Sequence, residues 1–278
     1  MSKIWFVTGA NSGIGAGIVN ASLKAGNRVV ATGRSMDKLR AAFPDANDQS
    51  LALVELDVTD EGQAYAAVAK AVELFGTIDV LVSNAGFCVL GNFEDLAAAD
   101  FGRQMATNFY GAVHVMHAVL PVMRQQRSGH IFTISSVAGG VGMSQCSAYS
   151  ASKFALEGLS MAVAAEVEQF GINMTIVEPG FFRTSFLNQN NYEAVDTRID
   201  DYATQGSARD GYAAYDGNQP GDPAKLGEAV LTIEAMDEPL KLFVAGSDAI
   251  GMLKPPAEER LRAIVAQVVL SYSTDGTF

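Results

Sequence analysis

Residues Ile4-Trp5-Phe6-Val7-Thr8-Gly9-Ala10-Asn11-Ser12-Gly13-Ile14-Gly15 decide how this chain folds. A short apolar, β-prone run enters a glycine-rich turn, and Val19 and Leu23 then continue at helical spacing, so the segment reads as strand, turn, helix. Glycines at 9, 13 and 15 let the chain turn tightly and let backbone N–H groups approach a pyrophosphate. They also let the helix pack close to the strand, with its N-terminus facing the anion. The interval is G-x-x-x-G-x-G, not the more general G-x-G-x-x-G. By itself such a turn could be only a tight loop; the strand before it and the helix after it favour dinucleotide binding.

Outward from this unit, strand-like runs recur at Ile4–Thr8, Arg28–Thr32, Leu51–Leu56, Val80–Ser83, His130–Ser135, Asn173–Glu178 and Lys241–Ala245. Helical patterns lie between them, at 13–25, 60–75, 100–125, 149–170, 223–235 and 257–270. This alternation predicts right-handed βαβ units and a Rossmann-like, doubly wound parallel sheet of about seven strands with helices on both faces. No repeat or linker divides residues 1–278, so one α/β domain is expected. Residues 185–222 break the pattern: they are polar, rich in Asn, Gln, Asp and Gly, and carry Tyr192, Tyr202, Tyr212 and Tyr215. The segment follows the sixth strand, at the carboxyl edge where open α/β sheets bind ligands, and is expected to be a substrate lid with short helices inside it. A disordered surface insertion is the alternative.

Composition narrows the function. At 278 residues the chain can bury a sizeable core, and 49% hydrophobic against 18% charged residues argues against extended disorder. A net charge of −12 repels nucleic-acid backbones, so no nucleic-acid partner is expected. Two cysteines far apart, Cys88 and Cys146, suit a reducing, cytoplasmic compartment. The opening apolar run is cut short by Thr8-Gly9, so no secretory leader is expected, and nowhere is there a stretch long enough to span a membrane. The histidines, His114, His117 and His130, lack metal-ligand spacing, and no catalytic metal is expected.

Chemistry points to the middle of the chain. Tyr149 and Lys153 stand at i and i+4, on one face of a helix, where an ammonium can reach a phenol. A phenol of pKa about 10 is a poor acid or base at neutral pH, and a fixed positive charge nearby favours the phenolate. Asn108 and Ser136 complete a set of four polar residues. Singly, each could be structural: a helix-interior Asn, a turn Ser, a surface Tyr–Lys pair.

Together with the glycine turn and the order of elements, these residues resemble the short-chain dehydrogenase/reductase family over nearly the whole chain. Thr8-Gly9-Ala10-Asn11-Ser12-Gly13-Ile14-Gly15 is similar to its cofactor loop, and Asp57-Val58 to the position that contacts adenine. Ser83-Asn84-Ala85-Gly86 resembles its Asn-Asn-Ala-Gly motif, with Ser83 replacing the first Asn. Ser136 precedes Tyr149 by the family interval. Pro179-Gly180 and Thr184 resemble the Pro-Gly-x-x-x-Thr motif that holds the nicotinamide carboxamide. More narrowly, the stretches Leu120–Gly139, Val177–Thr184 and Gly246–Ala249 resemble members likened to 17β-hydroxysteroid dehydrogenase type 1.

The resemblance implies hydride transfer between a nicotinamide and a carbonyl or secondary alcohol. Tyr149 is then the acid for reduction and the base for oxidation. Lys153 lowers its pKa and binds the cofactor ribose, Ser136 hydrogen-bonds the substrate oxygen, and Asn108 holds a relay water. Gly9, Asn11, Ser12, Gly13, Ile14, Gly15, Arg34, Asp57, Val58, Asn84, Ala85, Gly86, Pro179, Gly180 and Thr184 form the rest of the cofactor site. Gly33 stands where an Asp would select NAD(H), and Arg34 follows it, so NADP(H) is favoured with NAD(H) as the alternative. Val141, Met143, Cys146, Phe87, Cys88, Phe181, Phe182 and Phe186 suggest an apolar substrate pocket. Helices 100–125 and 149–170 carry apolar or small residues on more than one face; in the resembling family they form a four-helix interface, and a homodimer or homotetramer is expected. Two rivals stand beside this reading: an epimerase or dehydratase using the same Tyr and Lys, and a non-catalytic redox sensor that binds the dinucleotide.

Overall fold

The computed structural model describes residues 2–47, 49–188, 192–213 and 215–276. Among the described residues nine strands run β1 (Ile4–Val7), β2 (Arg28–Gly33), β3 (Leu51–Glu55), β4 (Val80–Ser83), β5 (Val89–Leu90), β6 (Gly129–Ile134), β7 (Ile172–Pro179), β8 (Glu193–Ala194) and β9 (Leu242–Ala245). Seven of them form one parallel sheet in the order β3-β2-β1-β4-β6-β7-β9. The winding reverses between β1 and β4, which opens a crevice at the carboxyl ends of the strands. The two-residue strands β5 and β8 pair separately.

Every residue of β1 is buried, because successive side chains feed different layers. Ile4 and Phe6 pack with Val68 and Phe75 of α3 (Glu61–Phe75), Val115 and Val119 of α5 (Gly111–Gln126) and Leu156 of α7 (Ser147–Val167). Trp5 and Val7 face Ile18 and Val19 of α1 (Gly13–Lys24) and Leu226 and Val230 of α9 (Pro223–Glu234). Helices α1 and α9 cross at backbone contact: a Cβ on Gly17 would lie 2.3 Å from the Pro223 carbonyl oxygen.

Two expected helices are built differently. The run expected at 100–125 is α4 (Ala98–Met105), a π-helical turn at Ala106–Tyr110 and then α5. A π turn widens the helix locally and is a frequent device at functional sites; here it carries Asn108. The helix expected at 257–270 begins earlier, as α10 (Ser247–Ala266), running through Pro255 and Pro256 before α11 (Val268–Tyr272). Two short helices flank the site, α2 (Met36–Ala42), capped by Ser35 Oγ on the Lys38 N–H at 3.3 Å, and α6 (Val137–Gly140).

Ser185, Phe186 and Tyr212 of the segment 185–222 line the crevice; positions 189–191 and 214 within this expected lid lie outside the described residues. Short 3₁₀ turns at Ser185–Leu187 and Asp200–Gln205 and helix α8 (Ala208–Ala213) lie within it. It is tied to the segment after β4. Arg198 donates to the Asp95 carboxylate and carbonyl at 3.1 and 2.5 Å, Tyr202 to Glu94, and Asn92 to Thr197 at 3.3 Å. Among the described residues no helix is long and apolar enough to cross a membrane.

Candidate active site

The crevice holds a cavity of about 330 Å³ whose wall runs from Arg34 at one end to Tyr149 and Tyr212 at the other. Gly9 and Gly13 line its floor with φ of +61° and +57°, left-handed values that glycine adopts without strain. Ser12 is extended and caps none of the first N–H groups of α1 with its side chain. Those donors, at the positive end of the helix, fit a pyrophosphate. Gly15 does not line the cavity. A Cβ there would sit 2.5 Å from the Gly9 carbonyl oxygen and 2.6 Å from Asn84 Nδ2, so this glycine joins helix to strand.

Thr8 organises the loop from beneath, a role the sequence reading missed. Its Oγ accepts the N–H groups of Asn84 and Ala85 at 2.9 and 3.0 Å, while Asn84 Nδ2 donates to the carbonyls of Thr8 and Gly9 at 2.8 and 3.1 Å. The glycine loop and the Asn84-Ala85-Gly86 turn are thereby one unit. Pro179, Gly180 and Thr184 line the opposite wall. The Thr184 methyl lies against Gly13, whose Cβ would meet it at 3.1 Å. The Phe181 N–H donates to Asp248 of α10 at 2.7 Å, fixing the Pro-Gly turn from behind.

At the far end a Cβ on Gly33 would come 3.1 Å from Asn11 Oδ1, so a larger residue at 33 would press on the Asn11 side chain. Arg34 and Lys38 are exposed and both line the cavity there. Lys38 was missed as a site residue, although it follows Arg34 by one helical turn beyond the Ser35 cap. Val58 forms the neighbouring wall, pressed by α5 through Gly111 and the 2.9 Å contact of His114 Nδ1 with its carbonyl. Asp57 lies outside the lining; its Oδ1 accepts from the Thr59 N–H and hydroxyl at 2.9 and 2.8 Å.

Tyr149, Ser136 and Lys153 converge on the cavity. Lys153 is buried on α7, with Nζ 5.6 Å from the Tyr149 ring centroid and donating to the Ile134 carbonyl at 2.8 Å. Burial lowers its pKa to about 8, opposed by Glu157 and Cys88. Burial also pushes the Tyr149 phenol upward, with Cys88 adding to the rise and the Ser136 hydroxyl countering it. The expected lowering by Lys153 is not among these influences on the phenol; the ammonium stands beside the ring while donating to the Ile134 carbonyl. Asn108 is buried behind the wall. Its amide clamps Phe87 at both backbone groups, each at 3.1 Å, and donates to Ser152 at 3.2 Å. It meets Lys153 across Gly86, whose Cβ position is 3.2 Å from Asn108 Oδ1 and 3.8 Å from Lys153 Nζ.

Beyond Tyr149 the wall is soft and apolar. Met143, Cys88, Cys146, Phe87 and Phe186 line it as expected, and Tyr212 joins them; Val141 does not, closing α6 instead. Cys146 Sγ and Tyr212 Oη lie 2.8 Å apart, and Phe181 stacks on Tyr215 at 4.5 Å. Burial raises the Cys88 thiol, while hydrogen bonds from Cys88 and Tyr212 favour the charged form of Cys146.

A glycine cradle on an uncapped helix, at the switch point of a parallel sheet and facing a Ser–Tyr–Lys cluster, defines a nicotinamide-dinucleotide oxidoreductase site. The short chain dehydrogenase family pattern matches residues 3–194, and the chain belongs to that family. It is 38% identical over 259 residues to oxidoreductase BOA17 of Botryotinia fuckeliana, covering 93% of this chain and 94% of the relative. A crystal structure of a short-chain dehydrogenase from Streptomyces avermitilis superposes with a TM-score of 0.87 at 33% identity over 99% of both chains. ElxO with NADP bound superposes with a TM-score of 0.73 at 26% identity, covering 90% of this chain and 98% of that one.

Proposed function

We propose that this short-chain dehydrogenase/reductase is NADP(H)-dependent and interconverts a carbonyl and a secondary alcohol on a hydrophobic small molecule. The observation that carries this reading is the polarity of this cavity. Two exposed cations, Arg34 and Lys38, stand at one end, and the Ser136 and Tyr149 hydroxyls stand against an apolar wall at the other. A guanidinium and an ammonium suit a 2′-phosphate, and Gly33 leaves no carboxylate to read a 2′-hydroxyl. The NADP held by the similar ElxO agrees with this.

When bound, the nicotinamide supplies or accepts the hydride. In reduction Tyr149 gives its phenolic proton to the carbonyl oxygen and Ser136 donates a hydrogen bond to the same atom; in oxidation Tyr149 takes the proton back. Lys153 contributes positive charge beside the phenolate and donors for the ribose. Asn108 holds the Gly86-Phe87 backbone against that ammonium, in line with a water relay to Lys153. Residues 185–222 act as the lid, closing the apolar end through Phe186 and Tyr212. Exposed Tyr110, Phe154 and Met161 on the π turn and α7 fit a helix-paired homodimer or homotetramer.

The test is oxidation of NADPH and of NADH against hydrophobic ketones and aldehydes, with NADP⁺ reduction against the matching alcohols. Turnover favouring NADPH, with the preference reduced in Arg34→Ala, is expected. Preference for NADH, unchanged by that substitution, contradicts the cofactor assignment, and dinucleotide binding without turnover across the panel supports the sensor.

A further inference from the structure

Behind the proposed proton donor lies a carboxyl pair that the reaction itself does not use, Glu178 buried and Glu157 half-buried. Glu157 follows Lys153 by one turn of α7, and Glu178 is the residue of β7 that precedes the Pro179-Gly180 turn. Glu178 is 4% exposed, and the two carboxyl groups lie within hydrogen-bonding reach of each other. Ser135, next to Ser136, donates its hydroxyl to Glu157 Oε1 at 2.5 Å. The backbone is fitted around the pair: a Cβ on Gly139 would lie 2.1 Å from Glu157 Oε1, and one on Gly140 would lie 2.9 Å from Glu178 Oε1. One cluster therefore joins the turn after β6 that bears Ser136, the helix bearing Tyr149 and Lys153, and the strand entering the Pro-Gly turn.

Two carboxylates in contact cannot both ionise cheaply, so they share a proton. We infer that Glu157 and Glu178 form a proton-sharing pair that holds Lys153 as an ammonium and so sets the alkaline limit of the site; this rests on the proposed roles of Tyr149 and Lys153. Glu178 keeps the proton and donates to the Glu157 carboxylate, whose charge faces Lys153 along the helix. Burial raises both carboxyls, Glu178 to about 7 with Glu157 adding to the rise. Glu157 in turn opposes the burial that would strip Lys153 of its proton. The titratable groups around Lys153 are Tyr149 and Glu157 on α7, Cys88 ahead of β5 and, through Glu157, Glu178 on β7. Helix α6 presents glycine backbone here, and from α10 come Leu253 against Gly140 and Asp248, whose Oδ2 accepts from the Phe181 N–H.

The experiment follows turnover and NADPH binding, the latter by calorimetry, from neutral to alkaline pH in the wild type, Glu157→Gln, Glu157→Asp and Glu178→Gln. Removing the Glu157 charge should move the alkaline limb of both readouts to lower pH by about one unit. Glu157→Asp should recover at least half of that, and Glu178→Gln should give a smaller shift confined to pH above neutrality. A folded Glu157→Gln protein with the wild-type limb overturns the inference. So does a shift that Asp fails to rescue and that comes with a lowered melting temperature. Tyr149→Phe measured alongside separates the two claims: if it retains turnover the proton-donor assignment fails, while the binding profiles still judge the carboxyl pair.

Discussion

The floor of the cavity and the wall that covers it are held by different kinds of contact. On the floor, the side chains of Thr8 and Asn84 bond to backbone groups, and Gly9 and Gly15 sit at spacings that would not admit even a methyl group. The wall is held by polar bridges to sequence-distant residues, such as Arg198 to Asp95 and Gln145 to Gly206, and by ring contacts such as Phe181 with Tyr215. A rigid floor suits a cofactor whose shape never changes. A wall held by exposed or half-buried polar contacts is the part of the molecule that opens at low cost.

The largest expected difference follows from breaking the floor. Gly15→Val would force a branched side chain into the Gly9 carbonyl and Asn84 and should cost about 3 kcal/mol or more of stability, together with dinucleotide binding. Thermal melts with and without NADPH check this; a near-normal melt with ligand stabilisation would contradict the fit. Acidification should also act on the sheet. His130 is 3% exposed and burial lowers its pKa to about 4 from 6.5. Because the unfolded chain binds this proton first, stability is fully present above the unfolded value and lost as pH falls towards 4, on the order of 3 kcal/mol in all. His130→Gln should flatten that part of the stability curve.

Smaller effects belong to the ends of the cavity. Arg34→Ala and Lys38→Ala should each lower the preference for NADPH over NADH about tenfold, since both side chains are exposed and their phosphate contacts are screened. Ratios of kcat/KM for the two dinucleotides measure it. In the wall, Tyr212→Phe removes the partner of the Cys146 thiol and should raise KM for a bulky ketone only a few-fold, about 1 kcal/mol, with kcat kept. A collapse of kcat instead would place Tyr212 in the proton transfer.

The same contrast explains what could be read from the sequence. Tyr149 and Lys153 share a helix face, and the glycine turn lies between a strand and a helix, so local spacing was enough to single out residues that line one cavity. The seven-stranded parallel sheet followed from alternating apolar runs. Lys38 was passed over because its place on the cavity depends on the short helix α2, capped by Ser35, whose few residues give little apolar periodicity. Thr8 was passed over because its acceptor role appears only when β4 lies beside β1. The carboxyls of Glu157 and Glu178 are 21 positions apart in the chain and meet only through the packing of α7 on β7. The break at Asn108 was invisible because a π turn keeps helical composition; the early start of α10 was hidden by Pro255 and Pro256.

Tyr149→Phe tests most directly whether the cavity that seats the dinucleotide also carries a proton donor. NADPH affinity is measured by calorimetry and ketone-dependent NADPH oxidation by absorbance in the same preparation. The account predicts dinucleotide binding within a few-fold of the wild type and turnover lowered by roughly 10²–10⁴-fold, the range of a positioned general acid. Near-normal turnover with normal binding would contradict it.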